Sequence, residues 1–525
     1  MYALIPKQQF NSVSTSILNR LLTFDQFVFS IYQSRYGSIF VFLIPAFIFF
    51  YPAITNSFPV GYSGLYTLMS EKLLENHFIP PESVPFYSQG NVPFVYPPLG
   101  FYFAALAMIF DISIFDYLRF IPPFLGLLSL FSLYLLILEL TQRRSKAILT
   151  VLFVSTSYEF FEKQATAAGM VRSWALLFSL LSIYLFLKVI KNQGKDKILI
   201  GLTGLCLGLT ALSHFLYLLF TLIMICLLCL FKYPRTNYKY ALFIFSGGFI
   251  IFLPWFILSL LRIGPLAFLD TFQSHNNSLI LTLIKQPFSA ALMSILFMFM
   301  PWIGTSFIGL AILGMITALW KRNWVPVLAI IIIFLFLGDS ERFIVLLTAL
   351  LLAELFLDVL DGYRLKKNKT LPFCLIALSI FILFVNLFAY QFPGQWTVSS
   401  LNVSTIETAS WFKQNTPSES SYMFFSKDHN ISEWMPYLSK RTTLTGHWGS
   451  EWKMRYEIDL SMWEEIGNCA DLEVNSCMNL INTYHLNPDY LITQREQDKL
   501  NAEITASNQW KSVYKNENYL IYARK

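Results

Sequence analysis

The chain has 525 residues, of which 55% are hydrophobic and only 13% are charged, and its mean hydropathy is +0.53. A water-soluble protein carries roughly twice that fraction of charge, so the composition excludes a soluble globular enzyme and indicates a membrane protein. The formal net charge of +6 does not indicate a nucleic-acid partner, because the basic residues are concentrated in short loops between apolar runs.

The basic loops predict how the chain crosses the membrane. Residues 1–36 are predicted as a cytoplasmic lead-in, and residues 37–392 as a membrane domain that begins with a span at about 37–54. A second span at about 118–140 places Arg143 and Arg144 on the inner side. Further spans are predicted at about 147–160, 172–190, 198–213, 215–231, 240–261, 302–320, 324–338, 343–360 and 371–391. The prediction is therefore a polytopic α-helical protein of about eleven spans, with a cytoplasmic N-terminus and an extracytoplasmic C-terminus.

The first outer loop, predicted at about 55–96, contains an amphipathic segment and ends at a proline pair. The apolar period of Leu65 to Leu74 predicts a helix that lies flat on the membrane. Glu71 and Glu75 share one face of that helix, and Glu71 either belongs to a solvated surface or points into a cleft. After Tyr96, the pair Pro97 and Pro98 can begin a helix but cannot continue one from upstream. The apolar run 97–110 is too short for a span and is predicted as a juxtamembrane or re-entrant helix, and the run 288–300 as a further, half-buried helix on the outer side.

Polar side chains gather at the predicted outer ends of the later spans. Glu159, Glu162 and Lys163 end the third span, and Arg172 begins the fourth. A charged side chain at the edge of an apolar helix costs free energy unless it forms an ion pair or binds a ligand. Arg172 therefore either pairs with Glu159 or binds a phosphate.

Two further outer ends carry polar residues that allow two interpretations. His214, at the end of the fifth span, is either a polar helix end or a substrate ligand. Arg342 is either a second phosphate ligand or a side chain that extends towards the membrane interface.

Residues 393–525 are polar and predict a small extracytoplasmic α/β domain. Short β-type runs at 422–425, 490–492 and 519–522 predict strands, and residues 405–414 predict a helix. Cys469 and Cys477 are expected to form a disulfide, because the outer side is oxidising. Trp448 and Glu451 lie in a segment rich in aromatic residues, which suits either stacking on a sugar or a small hydrophobic core.

Together these features resemble the GT-C membrane glycosyltransferases, which include protein O-mannosyltransferases, aminoarabinose transferases and oligosaccharyltransferase catalytic subunits. The resemblance covers nearly the whole chain and is strongest with uncharacterised prokaryotic members. It rests on the segments Tyr96 to Gly100, Arg119 to Pro123, Gly169 to Arg172, Leu212 to His214, Arg342-Phe343, Trp434 to Leu438 and Gly449 to Trp452.

The resemblance implies transfer of a hexosyl or pentosyl group, with inversion, from a polyprenyl-phosphate carrier to an acceptor at the outer face of the cell membrane. The acceptor is a glycan, a lipid or a protein. A carboxylate of the first outer loop acts as the base, basic residues stabilise the departing phosphate, and some members also use a divalent metal. The resemblance does not name the metal or the cofactor for this chain.

The chain departs from the pattern at Ser63, where the family usually has aspartate. The expected base is therefore Glu159, with Glu71 as the second carboxylate and Glu162 as a further candidate. The substrate ligands expected beside them are Arg172, Arg342, His214, Tyr96, Trp448 and Glu451.

Two other functions stay open at this point. The chain is either a non-catalytic protein that binds or assembles lipid-linked sugars on the same scaffold, which the missing aspartate favours, or a transporter of such lipids. A transporter places charges at mid-bilayer, whereas the charges here lie at the ends of spans. No Walker loop or dinucleotide-binding fingerprint occurs in the sequence, which disfavours a nucleotide-driven pump.

Overall fold

A computed structural model describes residues 35–232, 238–274, 312–366, 397–472 and 477–525. The predicted lead-in up to residue 34, the helix predicted at 288–300 and the span predicted at 371–391 lie outside these ranges. The described part begins with a helical bundle and ends with a mixed sheet.

The helices of the bundle and of its first connecting loop follow one another along the chain. They are α1 (Arg35–Thr55), α2 (Gly64–Glu75), α3 (Leu99–Ile109), α4 (Ile114–Thr141), α5 (Arg144–Ser155), α6 (Tyr158–Gln164), α7 (Gly169–Lys191), α8 (Lys197–Ser213), α9 (Phe215–Leu227), α10 (Tyr238–Ser274), α11 (312–320), α12 (Trp324–Phe336) and α13 (Glu341–Lys366). A short antiparallel hairpin of β1 (Ser83–Tyr87) and β2 (Gly90–Pro93) lies between α2 and α3. As predicted, α3 starts directly after the proline pair and has only 11 residues.

Three helices of the described part are long and apolar enough to cross a membrane, namely α4, α7 and α10 as far as Thr271. The predicted third span, 147–160, does not form one helix, because α5 ends at Ser155 and a separate helix begins at Tyr158. Twelve residues of α-helix extend about 18 Å, which is shorter than the hydrocarbon core of a bilayer. The described residues therefore do not confirm the predicted count of about eleven spans.

The bundle is held together by a continuous apolar core. Helix α7 packs between α4 and α8, and α8 packs against α10. Glycines lie where α8 and α10 pack against each other: a Cβ added to Gly204 would lie 3.3 Å from the carbonyl oxygen of Ile244. Small residues at such a crossing allow two backbones to approach closely, which is how helices associate where lipid removes the hydrophobic driving force.

Residues 397–525, as far as they are described, form a C-terminal unit with a five-stranded sheet. Its helices are α14 (Val403–Asn415), α15 (His429–Ser439), α16 (Tyr456–Leu472), α17 (Cys477–Thr483) and α18 (Asp498–Ala506), and its strands are β3 (Ser421–Phe424), β4 (Thr442–Thr443), β5 (Tyr490–Gln494), β6 (Trp510–Lys515) and β7 (Tyr519–Arg524). The strand order is β4-β3-β5-β7-β6, with β4, β3 and β5 parallel and β7 antiparallel to both neighbours. The predicted strands, the predicted helix and the Cys469–Cys477 disulfide are confirmed.

The C-terminal unit and the first loop share one hydrophobic core. Its buried members include Leu68 and Met69 of α2, Phe94 after the hairpin, and Trp434 and Tyr437 of α15. Because residues from both ends of the chain are packed together, α2 and the loop around it are fixed against the C-terminal unit.

Candidate active site between the bundle and the C-terminal unit

A cavity with about 940 Å³ of empty space lies where the helix bundle, the first loop and the C-terminal unit meet. Its apolar wall includes Val171, Phe215, Phe268 and Trp452. Its polar lining comes from separate elements and consists of Tyr66, Tyr96, Arg172, Ser213, His214, Thr271, Asp339, Arg342 and Glu451. Five residues predicted as substrate ligands are thus brought together: Tyr96, Arg172, His214, Arg342 and Glu451.

Arg172 lies in the first turn of α7 and is only 9% exposed. Its Nη2 donates a hydrogen bond of 2.8 Å to the hydroxyl of Tyr62. Its Nε and Nη1 have no hydrogen-bond partner among the described residues. The ion pair between Arg172 and Glu159 that the sequence allowed is not formed in the described part of the chain. A buried cation with unused donors is costly unless an anion binds to it.

Arg342 lies in the first turn of α13 and is 3% exposed. Its Nε donates to the backbone oxygen of Asp339 at 3.1 Å, and its Nη2 forms an ion pair with the Asp339 carboxylate. Its Nη1 has no partner within the described ranges. Arg342 therefore resembles Arg172 in having a buried guanidinium with a donor still available, and both line one cavity.

His214 separates α8 from α9 and caps the second of them. Its backbone is extended, and its Nδ1 accepts a hydrogen bond of 3.3 Å from the backbone N–H of Leu216. Of the two interpretations of His214, the polar helix end is thus realised. The same side chain also lines the cavity.

Glu451 enters the cavity from the C-terminal unit, on the 3₁₀ turn Ser450–Lys453. It is 2% exposed and accepts a hydrogen bond from the hydroxyl of Tyr96. Burial raises the pKa of Glu451 to about 8, because desolvation disfavours the carboxylate more than nearby backbone N–H groups stabilise it. Burial likewise raises the pKa of Tyr66, which also lines the cavity.

Glu159 and Glu162 do not line this cavity. Glu159 is buried at the start of α6, with Glu162, Lys163 and Arg342 among its charged neighbours. Glu162 forms an ion pair of 2.9 Å with Lys163. Both carboxylates sit on α6, beside the cavity, so the structure does not bring them into position for direct contact with a substrate bound there.

Glu71 lies at the contact between α2 and the C-terminal unit. It accepts a hydrogen bond of 2.5 Å from the hydroxyl of Tyr437 and forms an ion pair with Lys440. These two partners hold the Glu71 carboxylate at the contact between α2 and the C-terminal unit, and Glu71 is not among the residues that line the cavity.

Trp448 is 9% exposed and packs in an aromatic cluster beside the cavity. Its ring stacks on His447 at a centroid distance of 4.4 Å, and its Nε1 donates to Nε2 of His429 at 3.3 Å. Burial lowers the pKa of His429 to about 4, so the imidazole is a neutral acceptor at pH 7. Of the two interpretations of Trp448, these contacts favour the core residue.

Glu433 is a site-forming residue that the sequence analysis missed. It is 2% exposed, and its two carboxylate oxygens accept hydrogen bonds from the backbone N–H groups of Gly64, at 2.6 Å, and Leu65, at 2.7 Å. Burial raises its pKa to about 7 against the opposing effect of these donors. The carboxylate thus caps the N-terminus of α2, next to Ser63. No spacing in the sequence relates Glu433 to residues so far upstream.

Ser63 is not among the residues that line the cavity. It is fully buried, and its Oγ donates to the Sδ of Met170 at 3.5 Å. The described residues contain no group of three His, Cys, Asp or Glu side chains arranged to hold a metal ion. Within the described ranges, the side chains therefore do not fit a metal centre.

Substituting Gly64 with alanine is expected to loosen the C-terminal unit. The added Cβ would lie 2.6 Å from the backbone oxygen of Glu433 and 2.7 Å from the Tyr87 hydroxyl, so backbone would have to shift. We expect a lower thermal unfolding midpoint in detergent and faster proteolysis between the two parts of the chain. Gly201→Ala is the matched control, because a Cβ there meets nothing within 4 Å, and an unchanged midpoint for Gly64→Ala would contradict the prediction.

The comparisons with known proteins agree on the fold. Residues 68–280, less than half of the chain, match the family model described as dolichyl-phosphate-mannose-protein mannosyltransferase. No curated protein matches the sequence significantly. Three solved structures of membrane glycosyltransferases cover most of the chain.

The oligosaccharyltransferase of Archaeoglobus fulgidus, tethered to an acceptor peptide, has a TM-score of 0.60 at 13% identity over 94% of this chain and 74% of its own. ArnT from Cupriavidus metallidurans, bound to undecaprenyl phosphate, has a TM-score of 0.53 at 11% identity over 93% of this chain and 98% of its own. Arabinofuranosyltransferase AftD from Mycobacteria has a TM-score of 0.54 at 12% identity over 94% of this chain but only 40% of its own.

Similarity at this level of identity establishes the fold. The chain has the GT-C fold of these membrane glycosyltransferases, as the sequence predicts.

Proposed function

We propose that the protein transfers a sugar from a polyprenyl-phosphate carrier to an acceptor, at the membrane face on which the C-terminal unit packs. The observation that carries this proposal is that Arg172 and Arg342, both buried, line one cavity with guanidinium N–H groups that have no partner among the described residues. Guanidinium groups suit phosphate in charge and in geometry.

Transfer of a sugar from a phosphate carrier requires a site that stabilises negative charge on the phosphate. When the bond between the sugar C1 and the phosphate oxygen breaks, negative charge develops on the departing phosphate. Two guanidinium groups already in place stabilise that charge without reorganisation, and their effect is large where water is excluded. The apolar walls beside the two arginines give the cavity the character of a ligand pocket, in which a few convergent polar groups lie among apolar side chains.

The known relatives support a lipid-linked donor. One of the similar structures holds undecaprenyl phosphate, and the matching family model is described by its use of dolichyl-phosphate mannose. A single displacement by the acceptor would invert the configuration at C1, and the transferred group would be a hexose or a pentose. We further propose that the N-terminus is cytoplasmic and that the C-terminal unit is extracytoplasmic, with a glycan, lipid or protein as the acceptor.

One observation favours a second candidate. Because Ser63 is buried against Met170, the first loop offers no carboxylate at the position where the family usually has its base. A protein that only binds lipid-linked sugars would not need one.

The test is to reconstitute the purified protein in liposomes with undecaprenyl phosphate that carries a radiolabelled sugar. We expect time-dependent loss of label from the lipid. The Arg495→Gln variant should show the same loss, because it removes an exposed arginine that does not line the cavity. Carrier binding without loss of label would support the non-catalytic candidate. Movement of intact carrier across the bilayer without cleavage would indicate a transporter and contradict the proposal.

A further inference from the structure

The proposed transfer needs a carboxylate that can accept the proton of the acceptor, and the cavity itself limits the choice. Among the lining residues that the structure describes, only Asp339 and Glu451 carry carboxylates. Asp339 is 53% exposed at its side chain and forms an ion pair with Arg342, which positions that arginine. Glu451 is nearly fully buried in the lining.

We propose that Glu451, supplied by the C-terminal unit, is the general base of the transferase. This inference rests on the proposed function and assigns the base to the residues after the membrane domain rather than to the first loop. Its acceptor is a hydroxyl group that enters the cavity between Glu451 and the sugar held by the carrier phosphate.

Three contacts fix the turn that carries Glu451. Its backbone oxygen accepts a hydrogen bond of 3.0 Å from Oγ1 of Thr271 in α10, and its Oε1 accepts from Tyr96. The turn follows Gly449, which has φ of 83°, and a Cβ at that position would lie 2.5 Å from Val92 of the hairpin. The carboxylate is thus held between the bundle, the first loop and the C-terminal unit, as a preorganised catalytic group should be.

The step balances without any further reactant. The acceptor oxygen forms a bond to C1 of the sugar while its proton passes to the Glu451 carboxylate. The bond between C1 and the phosphate oxygen breaks, and its electron pair leaves with the phosphate, whose charge faces Arg172 and Arg342. The protonated Glu451 then releases the proton to solvent when the product leaves.

The surroundings of Glu451 suit a base. Desolvation makes a buried carboxylate more basic than one in water, and the hydrogen bond from Tyr96 orients it. The titratable groups around it are the hydroxyls of Tyr66, Tyr96 and Tyr456 and, across the cavity, the carboxylate of Asp339, the imidazole of His214 and the two guanidinium groups. Tyr66 and Tyr456 stay protonated near neutral pH, because burial raises their pKa. Burial raises the pKa of Glu451 to about 8.

The experiment compares Glu451→Gln with Glu464→Gln in the liposome assay. Glu464 is an exposed carboxylate of the same C-terminal unit and serves as the matched control. We expect Glu451→Gln to lower kcat by about 10²- to 10⁴-fold with carrier binding unchanged, and Glu464→Gln to behave as wild type. The wild-type rate should rise with pH to a plateau above about 8, and this rise should be absent in Glu451→Gln, because the base acts only when deprotonated.

The failure of this inference differs from the failure of the proposed function. No turnover by the wild-type protein overturns the proposed function. If the wild-type protein turns over and Glu451→Gln retains that turnover, the assignment of Glu451 as the base is wrong. The same holds if Glu159→Gln abolishes both the turnover and its pH dependence. In either case the proposed transferase function still stands. Should Glu451→Gln fail to fold, the wild-type profile decides, since a rate independent of pH from about 6 to about 9 contradicts a base of this kind.

Discussion

Replacing Arg172 with glutamine is expected to lower turnover of a polyprenyl-phosphate sugar by about 100- to 1,000-fold. The substitution removes a buried guanidinium whose Nε and Nη1 have no partner among the described residues, and these are the donors assigned to the departing phosphate. Arg172→Lys keeps the charge but loses the planar fork, so it should recover only part of the rate.

The measurement is kcat/KM in the liposome assay, with Arg495→Gln as the control for loss of one arginine. Arg342→Gln should have an effect in the same direction, and the double variant should lose less than the product of the two effects, because both groups act on one phosphate.

The same substitution separates a catalytic role from a structural one. A buried cation with unused donors does not stabilise the free protein, so Arg172→Gln should leave the thermal unfolding midpoint unchanged or higher. A marked fall in the midpoint together with lost activity would indicate that Arg172 holds the fold through Tyr62, and it would contradict the phosphate assignment.

Replacing Glu433 with alanine is expected to destabilise the protein by about 2–4 kcal/mol. The Glu433 carboxylate accepts the backbone N–H groups of Gly64 and Leu65 at the start of α2. Alanine leaves two buried donors without an acceptor. It also removes a negative charge from a helix N-terminus, where the helix dipole favours it.

The free energy of unfolding can be followed by denaturant titration in detergent, with Glu433→Gln as the comparison. Glutamine keeps one acceptor oxygen at the same position, so we expect it to lose about half as much stability as alanine. Equal stability of the alanine variant and the wild type would show that this contact does not hold the C-terminal unit against the first loop. Activity should fall with stability here, because the turn that carries Glu451 belongs to the same unit.

Both predictions depend on one arrangement, in which the C-terminal unit (residues 397–525) contributes residues to a cavity that the helix bundle also lines. Trp434 donates its Nε1 to the backbone oxygen of Gly61 at 2.9 Å, and Tyr437 and Lys440 hold Glu71. Gly61 and Glu71, the first-loop residues in these contacts, lie before and after Ser63 in the chain. A chain that has serine rather than a carboxylate at position 63 can therefore still present a carboxylate to the cavity, from Glu451.

The sequence by itself determined the class of protein, the fold and the elements with strong local signals. Apolar runs with few charges predicted the helical bundle, the proline pair at Pro97 and Pro98 predicted the start of α3, and β-type runs after residue 420 predicted the sheet. It also singled out Arg172 and Arg342, because a charged guanidinium at the end of an apolar helix costs free energy unless it has a partner or a function.

The tertiary structure decided which carboxylates meet the cavity. Glu71, Glu159 and Glu162 had the expected residue type and the expected neighbours in sequence, yet Lys440 and Tyr437 hold the first, and the others lie on α6 beside the cavity. Glu451 and Glu433 reach the first loop only because the C-terminal unit folds back on α2 through a shared apolar core. A local sequence pattern indicates which face of one helix or strand is buried. The position of a side chain against an element distant in the chain depends on how the elements pack, and residue spacing does not indicate this packing.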